Sequence, residues 1–442
     1  MAPFGNRREF IKSTAAAGLG VGLTGNLPAI MPGGSPNEKV VVAVMGVNSR
    51  GGALANTFAS QPGSEVAVIC DVDERAIARC VKNVSERQDK TPEGEVDLRK
   101  VLERDDIDAL VIAAPDHWHA PATLMAMQAG KHVYLEKPCS HNPLEGEILV
   151  KAQKKYNKVV QMGTQQRSDP RSIELVEMIR DGIIGHAYYG KAFYSNTRGT
   201  IGRGKPAEIP SWLNYDLWQG PAPRVDYRDN VVHYNWHWFW HWGTGEALNN
   251  GTHEVDVCRW ALGVDYPTKV VSTGGRFHYD DDWEFYDTQI MSFEFEGGKG
   301  LSWEGRSCNG HKFFGRGRGA TIHGTEGTAL VDRDGYIIYD HRGNEVKRNL
   351  KSEASDQLNT VGADSQTDLH AANFLRGITD GESLHTPIDE AHKSVLLCQL
   401  GNIAQHTGEV LHCNPKNGRV YDKDVMENMW GRTYEPGWEM KI

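Results

Sequence analysis

Val40-Val41-Val42-Ala43-Val44-Met45-Gly46-Val47-Asn48-Ser49-Arg50-Gly51-Gly52 passes from an apolar strand, through a turn that carries glycines, into helical sequence over residues 53–60. The same alternation continues downstream. A second strand over residues 66–69 ends in Cys70-Asp71 and precedes helical sequence from Glu74. A short third strand is expected near Val96, before a helix over residues 98–103. Small and branched apolar residues make a strand of residues 109–114; residues 121–129 read as a helix that Gly130 ends as its C′ residue. Strand 132–135, helix 145–155 and strand 159–163 complete the series. Near-continuous apolar strands separated by helices predict an α/β, doubly wound parallel sheet covered on both faces.

In such a sheet, ligands sit at the carboxyl ends of the strands. Gly46 and Gly51 occupy the first and third glycine positions of a phosphate-binding turn, and Asn48 stands at the middle one. Asparagine tolerates unusual backbone angles and offers an amide, so the site is modified rather than abolished. Ser49 and Arg50 lie on the same turn. Asp71 ends the next strand, where a carboxylate accepts hydrogen bonds from the adenosine ribose and repels a 2′-phosphate. The turn therefore predicts a dinucleotide cofactor, NAD in preference to NADP.

Two further strand ends carry chemistry. Ala113-Ala114-Pro115-Asp116-His117-Trp118-His119 closes the fourth strand, where Pro115 stops the ladder. Its histidines frame the nicotinamide side of the cleft, and no third ligand at metal-binding spacing accompanies them. Lys131-His132-Val133-Tyr134-Leu135-Glu136-Lys137-Pro138-Cys139 delivers a lysine at the next sheet end. That lysine suits phosphate binding, carboxylate pairing or acid–base work; as a surface pair with Glu136 it contributes little.

Beyond about Gln165 the texture changes. Candidate strands lengthen and alternate at residues 270–273, 288–296, 300–305, 320–323, 328–332 and 336–340, with helices at 172–180, 253–262, 367–379 and 388–407. Alternation predicts a mostly antiparallel open sheet with one covered face, hence an α+β second domain. The expected division is a signal segment over 1–30, a linker over 31–38, the dinucleotide-binding domain over 39–164, a substrate-binding and oligomerisation domain over 165–423, and a tail over 424–442.

Pro115-Asp116 with His119, Glu136-Lys137-Pro138, and Asn249-Asn250-Gly251-Thr252-His253-Glu254-Val255-Asp256 together resemble the Gfo/Idh/MocA oxidoreductase family over residues 39–407. The resemblance implies a Rossmann domain holding NAD or NADP through the turn residues, Asp71, Pro115, His119, Glu136 and Lys137. It also implies sugar or polyol substrates and often a dimer or tetramer through the open sheet. Lys137 and His253 take the positions of the substrate-side lysine and histidine, and are assigned as catalytic. The usual aspartate is replaced by Asn249, which cannot hold a charge that would tune its neighbours and is assigned to a substrate hydroxyl. On one continuous helix Asn249, His253, Asp256 and Trp260 share a face. The chemistry agrees: hydride transfer from a carbinol needs its hydroxyl proton removed, which a desolvated lysine with a histidine partner performs.

Trp236-His237-Trp238-Phe239-Trp240-His241-Trp242 is the densest aromatic run. In an extended conformation its tryptophans share one face, which suits stacking on a sugar ring, with Trp240 as the candidate platform; an aromatic core or a subunit interface explains the run equally well. His233, His237 and His241 would line one face only of a helix, and no metal is assigned. Arg167, Tyr188, Tyr194 and Asn196 follow the last parallel strand and are further candidates to reach the cleft.

The formal net charge of −10 and the lack of a basic cluster exclude a nucleic-acid surface, and the 7 cysteines show no Cys-x-x-Cys pair. No stretch beyond the N-terminus is apolar enough to span a membrane. Arg7-Arg8-Glu9-Phe10-Ile11-Lys12, then a mild Ala/Gly-rich run, resembles a twin-arginine signal with cleavage near Ala29, which predicts a periplasmic protein exported folded with its cofactor. Such an enzyme must regenerate its cofactor in place. The expected function is oxidation or reduction of a hydroxyl on a sugar, glycoside or cyclitol. The alternatives are an NAD-dependent enzyme that cleaves glycosides by transient oxidation and elimination, and a non-catalytic sugar or NAD sensor.

Overall fold

Strand β1 (Val40–Met45) is buried along nearly its whole length, because alternate residues feed two cores. Val42 and Val44 pack with Leu54 and Phe58 on one face, Ala43 and Met45 with Leu110 and Ile112 on the other. The structure is a computed structural model, and it describes residues 39–352, 362 and 364–442. The paired-arginine segment and the linker lie outside the described residues.

The chain continues through α1 (Arg50–Ser60), β2 (Ser64–Cys70), α2 (Glu74–Ser85), β3 (Glu93–Glu95), α3 (Leu98–Leu102), β4 (Ala109–Ile112), α4 (Asp116–Gln128), β5 (His132–Leu135), α5 (Pro143–Tyr156) and β6 (Val160–Met162). The strands form one parallel sheet in the order β3-β2-β1-β4-β5-β6. The order reverses between β1 and β4, which is where such sheets open a crevice at their carboxyl edge. The third strand ends at Glu95, so Val96 follows it instead of lying in it. Helix α4 begins at Asp116, earlier than the sequence periodicity suggests, and contains Pro121. Proline in a helix frees the carbonyl four residues back. That carbonyl, His117 O, accepts from Arg432 Nη2 at 2.6 Å, so the C-terminal segment supplies the missing donor.

A 3₁₀ turn (Gln165–Ser168) and α6 (Pro170–Arg180) lead to β7 (Ala187–Ser195), then α7 (Tyr215–Gln219), a second 3₁₀ turn (Asn235–Trp238), α8 (Gly245–Asn249) and α9 (Gly251–Leu262). Strands β8 (Lys269–Gly275), β9 (Thr288–Phe295), β10 (Lys299–Arg306), β11 (Arg318–Gly324), β12 (Gly327–Asp332), β13 (Gly335–Asp340) and β14 (Glu345–Leu350) follow. Then come α10 (Ser365–Thr379), α11 (Ile388–Thr407), β15 (Leu411–His412) and α12 (Lys423–Asn428). The second sheet runs β14-β13-β12-β11-β7-β10-β9-β8-β15 and is antiparallel except where β7 meets β10. In β9, Met291, Phe293 and Phe295 are buried while Ile290, Ser292 and Glu294 face outward, the alternation of a sheet covered on one side. Strand β7 escapes the sequence pattern because Gly190 and Lys191 stand at its centre. The glycine lets the strand pack closely on α9: a Cβ there would stand 3.0 Å from Cys258 Cβ and press it back.

Helix α10, far along the chain, packs on the first sheet: Phe374 meets Phe58 and Tyr134 edge-on, at 6.2 and 5.7 Å between ring centres. Histidines are buried in both cores. Burial pushes His132, His370 and His392 down to about 4 from an ordinary 6.5. In the window between those values the unfolded chain binds more protons than the folded one, so stability rises with pH across it. The urea midpoint is accordingly expected to fall as pH is lowered from 6.5 towards 4; a midpoint that stays level there would refute neutral burial of these rings.

Candidate active site

The cleft at the reversal point begins with the turn after β1. Gly46 has φ +80°, and a Cβ on it would lie 2.5 Å from Ala114 N; a Cβ on Gly51 would lie 2.0 Å from Gly46 O. Both positions therefore need glycine, for backbone angle and for close approach. Asp71 braces this turn: its Oδ2 accepts from Val47 N at 2.6 Å and its Oδ1 from Asp73 N at 2.9 Å. Burial raises its pKa, against those hydrogen bonds. The carboxylate thus holds the turn as well as facing the cleft. Asn48 is exposed, and its Oδ1 accepts from Arg79 Nη2 at 2.8 Å. Ser49 and Arg50 line the cleft, yet Arg50 is committed to Glu136, Nε to Oε1 at 2.8 Å.

At the end of β5, Glu136 is buried and also accepts from Gln165 Nε2 at 3.0 Å. Its carboxyl is held below the usual range: burial opposes this, and Arg50 and Lys137 outweigh it. Lys137 Nζ donates to Asn249 O at 2.6 Å and to Asn249 Oδ1 at 3.1 Å. Burial pushes the ammonium down, against the pull of Glu136 and Asp116. His253 lines the same cleft, and burial, with Arg318 and Lys137 nearby, pushes its imidazole well below the ordinary range. Pro115 and His119 line it too, but both His119 ring nitrogens face backbone carbonyls, Nδ1 to Pro138 O at 2.6 Å and Nε2 to Ala114 O at 2.7 Å. That ring braces two strand ends and has no nitrogen left for a ligand.

Several expectations change. Asn249 ends α8, and Asn250 separates it from α9, so the four-residue face is interrupted. Asp256 turns to a buried bidentate pair with Arg167, at 2.7 and 2.8 Å, and Arg167 also lies over Trp260. The aromatic run is a 3₁₀ turn and loop, so its tryptophans do not share a face. Trp238 stacks on Trp283 and Trp240 packs on Phe285, each at 3.9 Å; Trp240 is absent from the cleft wall. The lining residues are Trp236 and His237, stacked at 3.6 Å. The three spaced histidines separate: His233 meets Asp73, His237 meets Tyr234 O, and His241 meets Pro223 O.

The far wall carries Asn196, one of the candidates named from the sequence, and Arg198, which sequence reasoning missed because it follows the unread strand β7. Arg198 pairs with Glu246, Nε to Oε2 at 2.5 Å, and donates to Tyr234 OH at 2.8 Å. Tyr194 is buried behind them and accepts from Asn196 Nδ2 at 2.7 Å, while Tyr188 is exposed. His237 is also pushed well below the ordinary imidazole range, by burial first. At the opposite end of the cleft, Asn214 N donates to Val72 O at 2.9 Å and His233 Nε2 lies 2.8 Å from Asp73 Oδ2. A strap over residues 214–233, beyond the first sheet, is thereby laced to the strand end that carries Asp71.

A glycine cradle whose Cβ positions are filled by backbone, a buried carboxylate at the end of β2 and the N-terminus of α1 define a dinucleotide-binding fold. The residues present fit such a cofactor. Residues 40–164 match the model described as oxidoreductase family, NAD-binding Rossmann fold, and residues 222–330 match the GFO/IDH/MocA C-terminal domain. The chain belongs to the Gfo/Idh/MocA family of NAD-binding Rossmann oxidoreductases. Its similar curated proteins include a glycosyl hydrolase family 109 protein of Saccharopolyspora erythraea, 29% identical over 256 residues (51% of this chain, 55% of that one). Another is an alpha-N-acetylgalactosaminidase of Shewanella oneidensis, 26% identical over 209 residues (43% and 46%). The chain spans about half the length of these curated relatives. Similar folds are levoglucosan dehydrogenase in complex with NADH and levoglucosan (TM-score 0.65, 19% identity, 85% of this chain and 99% of that) and myo-inositol 2-dehydrogenase from Lactobacillus plantarum (0.63, 16%, 85% and 100%).

Because Asp71 both braces the turn and faces the cleft, Asp71→Ala is expected to weaken NAD binding by roughly tenfold or more, about 1.4 kcal/mol, and to narrow the preference for NAD over NADP. Titration of both dinucleotides measures it; an unchanged preference would remove Asp71 from the selectivity assignment.

Proposed function

We propose that this protein cleaves a glycoside through transient oxidation, elimination and re-reduction of the sugar, with NAD retained throughout. The observation that carries this reading is the number of proton-handling groups on one cleft. Lys137 is pushed down by burial, and both His253 and His237 are held well below the ordinary imidazole range. A net dehydrogenation needs one base for the carbinol proton; elimination needs further groups for the carbon acid and the leaving group. The relatives named as glycosyl hydrolase and alpha-N-acetylgalactosaminidase support the same reading.

NAD, when bound, supplies the hydride acceptor that becomes the donor later in the same turnover. Lys137, as the neutral amine, takes the hydroxyl proton of the carbinol, and Asn249 orients its Nζ. The resulting ketone acidifies the neighbouring C–H. A neutral imidazole, His253 or His237, takes that proton as the glycosidic C–O bond breaks, and the departing oxygen gains a proton. Water then adds across the double bond and the ketone is reduced. The net change is glycoside plus water to sugar plus aglycone, with no net redox. Simple oxidation or reduction of a sugar hydroxyl is the second reading, and the direct Lys137–Asn249 contact favours it, since it equips the carbinol step by itself.

The purified protein is to be denatured to identify released dinucleotide, then the native protein supplied with aryl glycosides, α-N-acetylgalactosaminides among them, in deuterated water. Free aglycone, deuterium at the carbon next to the oxidised one, and unchanged total NADH are expected; stoichiometric keto-sugar with NADH would overturn the cleavage reading. Lys137→Ala is expected to lower kcat by about 10²–10⁴-fold with the cofactor still bound, and near-normal turnover would remove Lys137 from this role. Export by the twin-arginine route is part of the proposal, supported by Arg7-Arg8 and the run after it. Arg7→Lys with Arg8→Lys is expected to abolish periplasmic recovery in cell fractionation, and unaltered recovery counts against the route.

A further inference from the structure

Behind His253 the wall of the cleft is hollow. A small chamber is lined by Gln165, Gln166, His253, Glu254, Arg318, Arg333 and Gln366. About 10 Å³ of it is open to the centre of a water molecule, which is room for one water in a polar site. His253 lines both the cleft and this chamber. Its Nε2 is sealed from solvent and has no protein partner. Glu254 is 3% exposed. Its Oε1 accepts from Arg318 Nε at 2.7 Å, whereas its Oε2 is sealed and without a protein partner. The neighbouring amides are committed elsewhere: Gln165 Nε2 to Glu136 and Tyr134, Gln166 Nε2 to Asp332 O, and Gln366 Nε2 to Asp169. A buried polar atom left unpaired is costly, and here the two residues that carry such atoms line one water-sized space.

We propose that Glu254 is a positioning residue for His253: one water in the chamber accepts from Nε2–H and donates to Glu254 Oε2, which fixes the tautomer and leaves Nδ1 as the base toward the cleft. The inference rests on the reading that His253 handles substrate protons. When Nδ1 takes a proton from the substrate, the imidazolium keeps its Nε2–H on the water, and Glu254 supplies the compensating charge. The cations facing the ring are Lys137 at the end of β5, Arg50 on α1, Arg318 on β11 and Arg333 in the β12–β13 turn; the carboxylates on or beside these elements include Glu136, Glu254, Asp364 and the two that flank Arg333, Asp332 and Asp334. Arg50 is paired with Glu136, and Arg333 with Asp364. Glu254, which gives Oε1 to Arg318 and keeps Oε2 without a protein partner, is the carboxylate on the chamber wall itself.

The test uses the full chain labelled with ¹⁵N-histidine, with His253 assigned by difference from His253→Gln. At neutral pH the wild-type ring is expected as the Nε2–H tautomer. Glu254→Gln is expected to move it toward Nδ1–H and to shift the acid limb of the kcat/KM profile down by roughly one pH unit, with kcat reduced more than KM is changed. Glu254→Asp is expected to restore the tautomer. Gln166→Met fills the chamber and leaves the Glu254–Arg318 pair in place; it is expected to lose the wild-type tautomer as well, and it serves as the test if Glu254→Gln fails to fold. A wild-type Nδ1–H ring, or a tautomer and acid limb that Glu254→Gln leaves unmoved, overturns the proposal, and a Gln166→Met protein that keeps the wild-type tautomer overturns the water relay. Should the tautomer behave as expected in a protein that cleaves no glycoside, the positioning role stands and the reading of function falls.

Discussion

Three arginine–carboxylate pairs, two of them fully buried and one half-buried at the cleft, hold the short stretch of helix on which the cleft depends. Arg198, just after β7, pairs with Glu246; Arg318 on β11 pairs with Glu254; Arg167 in the first 3₁₀ turn pairs with Asp256. All three carboxylates lie on α8 and α9, the elements that present Asn249 and His253. Removing one partner of a buried pair leaves an uncompensated charge, at about 3–5 kcal/mol. That cost attaches to the Arg318 and Arg167 pairs and makes displacement of α9 unfavourable, while the half-buried Arg198 pair ties down α8. Asn249 O is thereby kept at 2.6 Å from Lys137 Nζ, across the junction of the two sheets.

The same burial sets the protonation of the cleft. Desolvation disfavours charge on Lys137, His253 and His237, and the nearest carboxylates are largely committed to arginines. Glu136 illustrates the balance: a buried acid that stays ionised because Arg50 and Lys137 flank it. The uncharged side chain at position 249 fits this pattern. An amide there accepts from Lys137 without adding a negative charge that would hold the ammonium protonated.

Much of the first sheet was legible because its strands are covered on both faces and its turns carry glycine and proline at positions with a single structural meaning. Gly46, Gly51, Pro115, Glu136 and Lys137 all line or build one crevice, as their strand-end positions imply. The second sheet was legible where alternation is clean, as in β9. It was not legible in β7, whose Gly190 answers to Cys258 on a helix far along the chain. Arg198 was missed with that strand, and Asn196 was undervalued. Trp240 was misplaced for a related reason: the aromatic run has the composition of a sugar platform, but tertiary contacts with Trp283 and Phe285 draw Trp238 and Trp240 into an aromatic core.

By itself, then, the sequence determined what depends on local backbone rules: a parallel βα series, a glycine turn for a dinucleotide, and a lysine delivered at a strand end. Only the tertiary structure decided which polar groups are paired and which are left facing a cavity. His119 is consumed by two carbonyls, while His253 keeps one ring nitrogen without a protein partner and lines a small polar chamber together with Glu254. The reason is physical. Pairing and desolvation are set by residues far apart in the chain, such as Arg318 with Glu254 and Arg432 with His117 O, and no local pattern records which partners folding brings together.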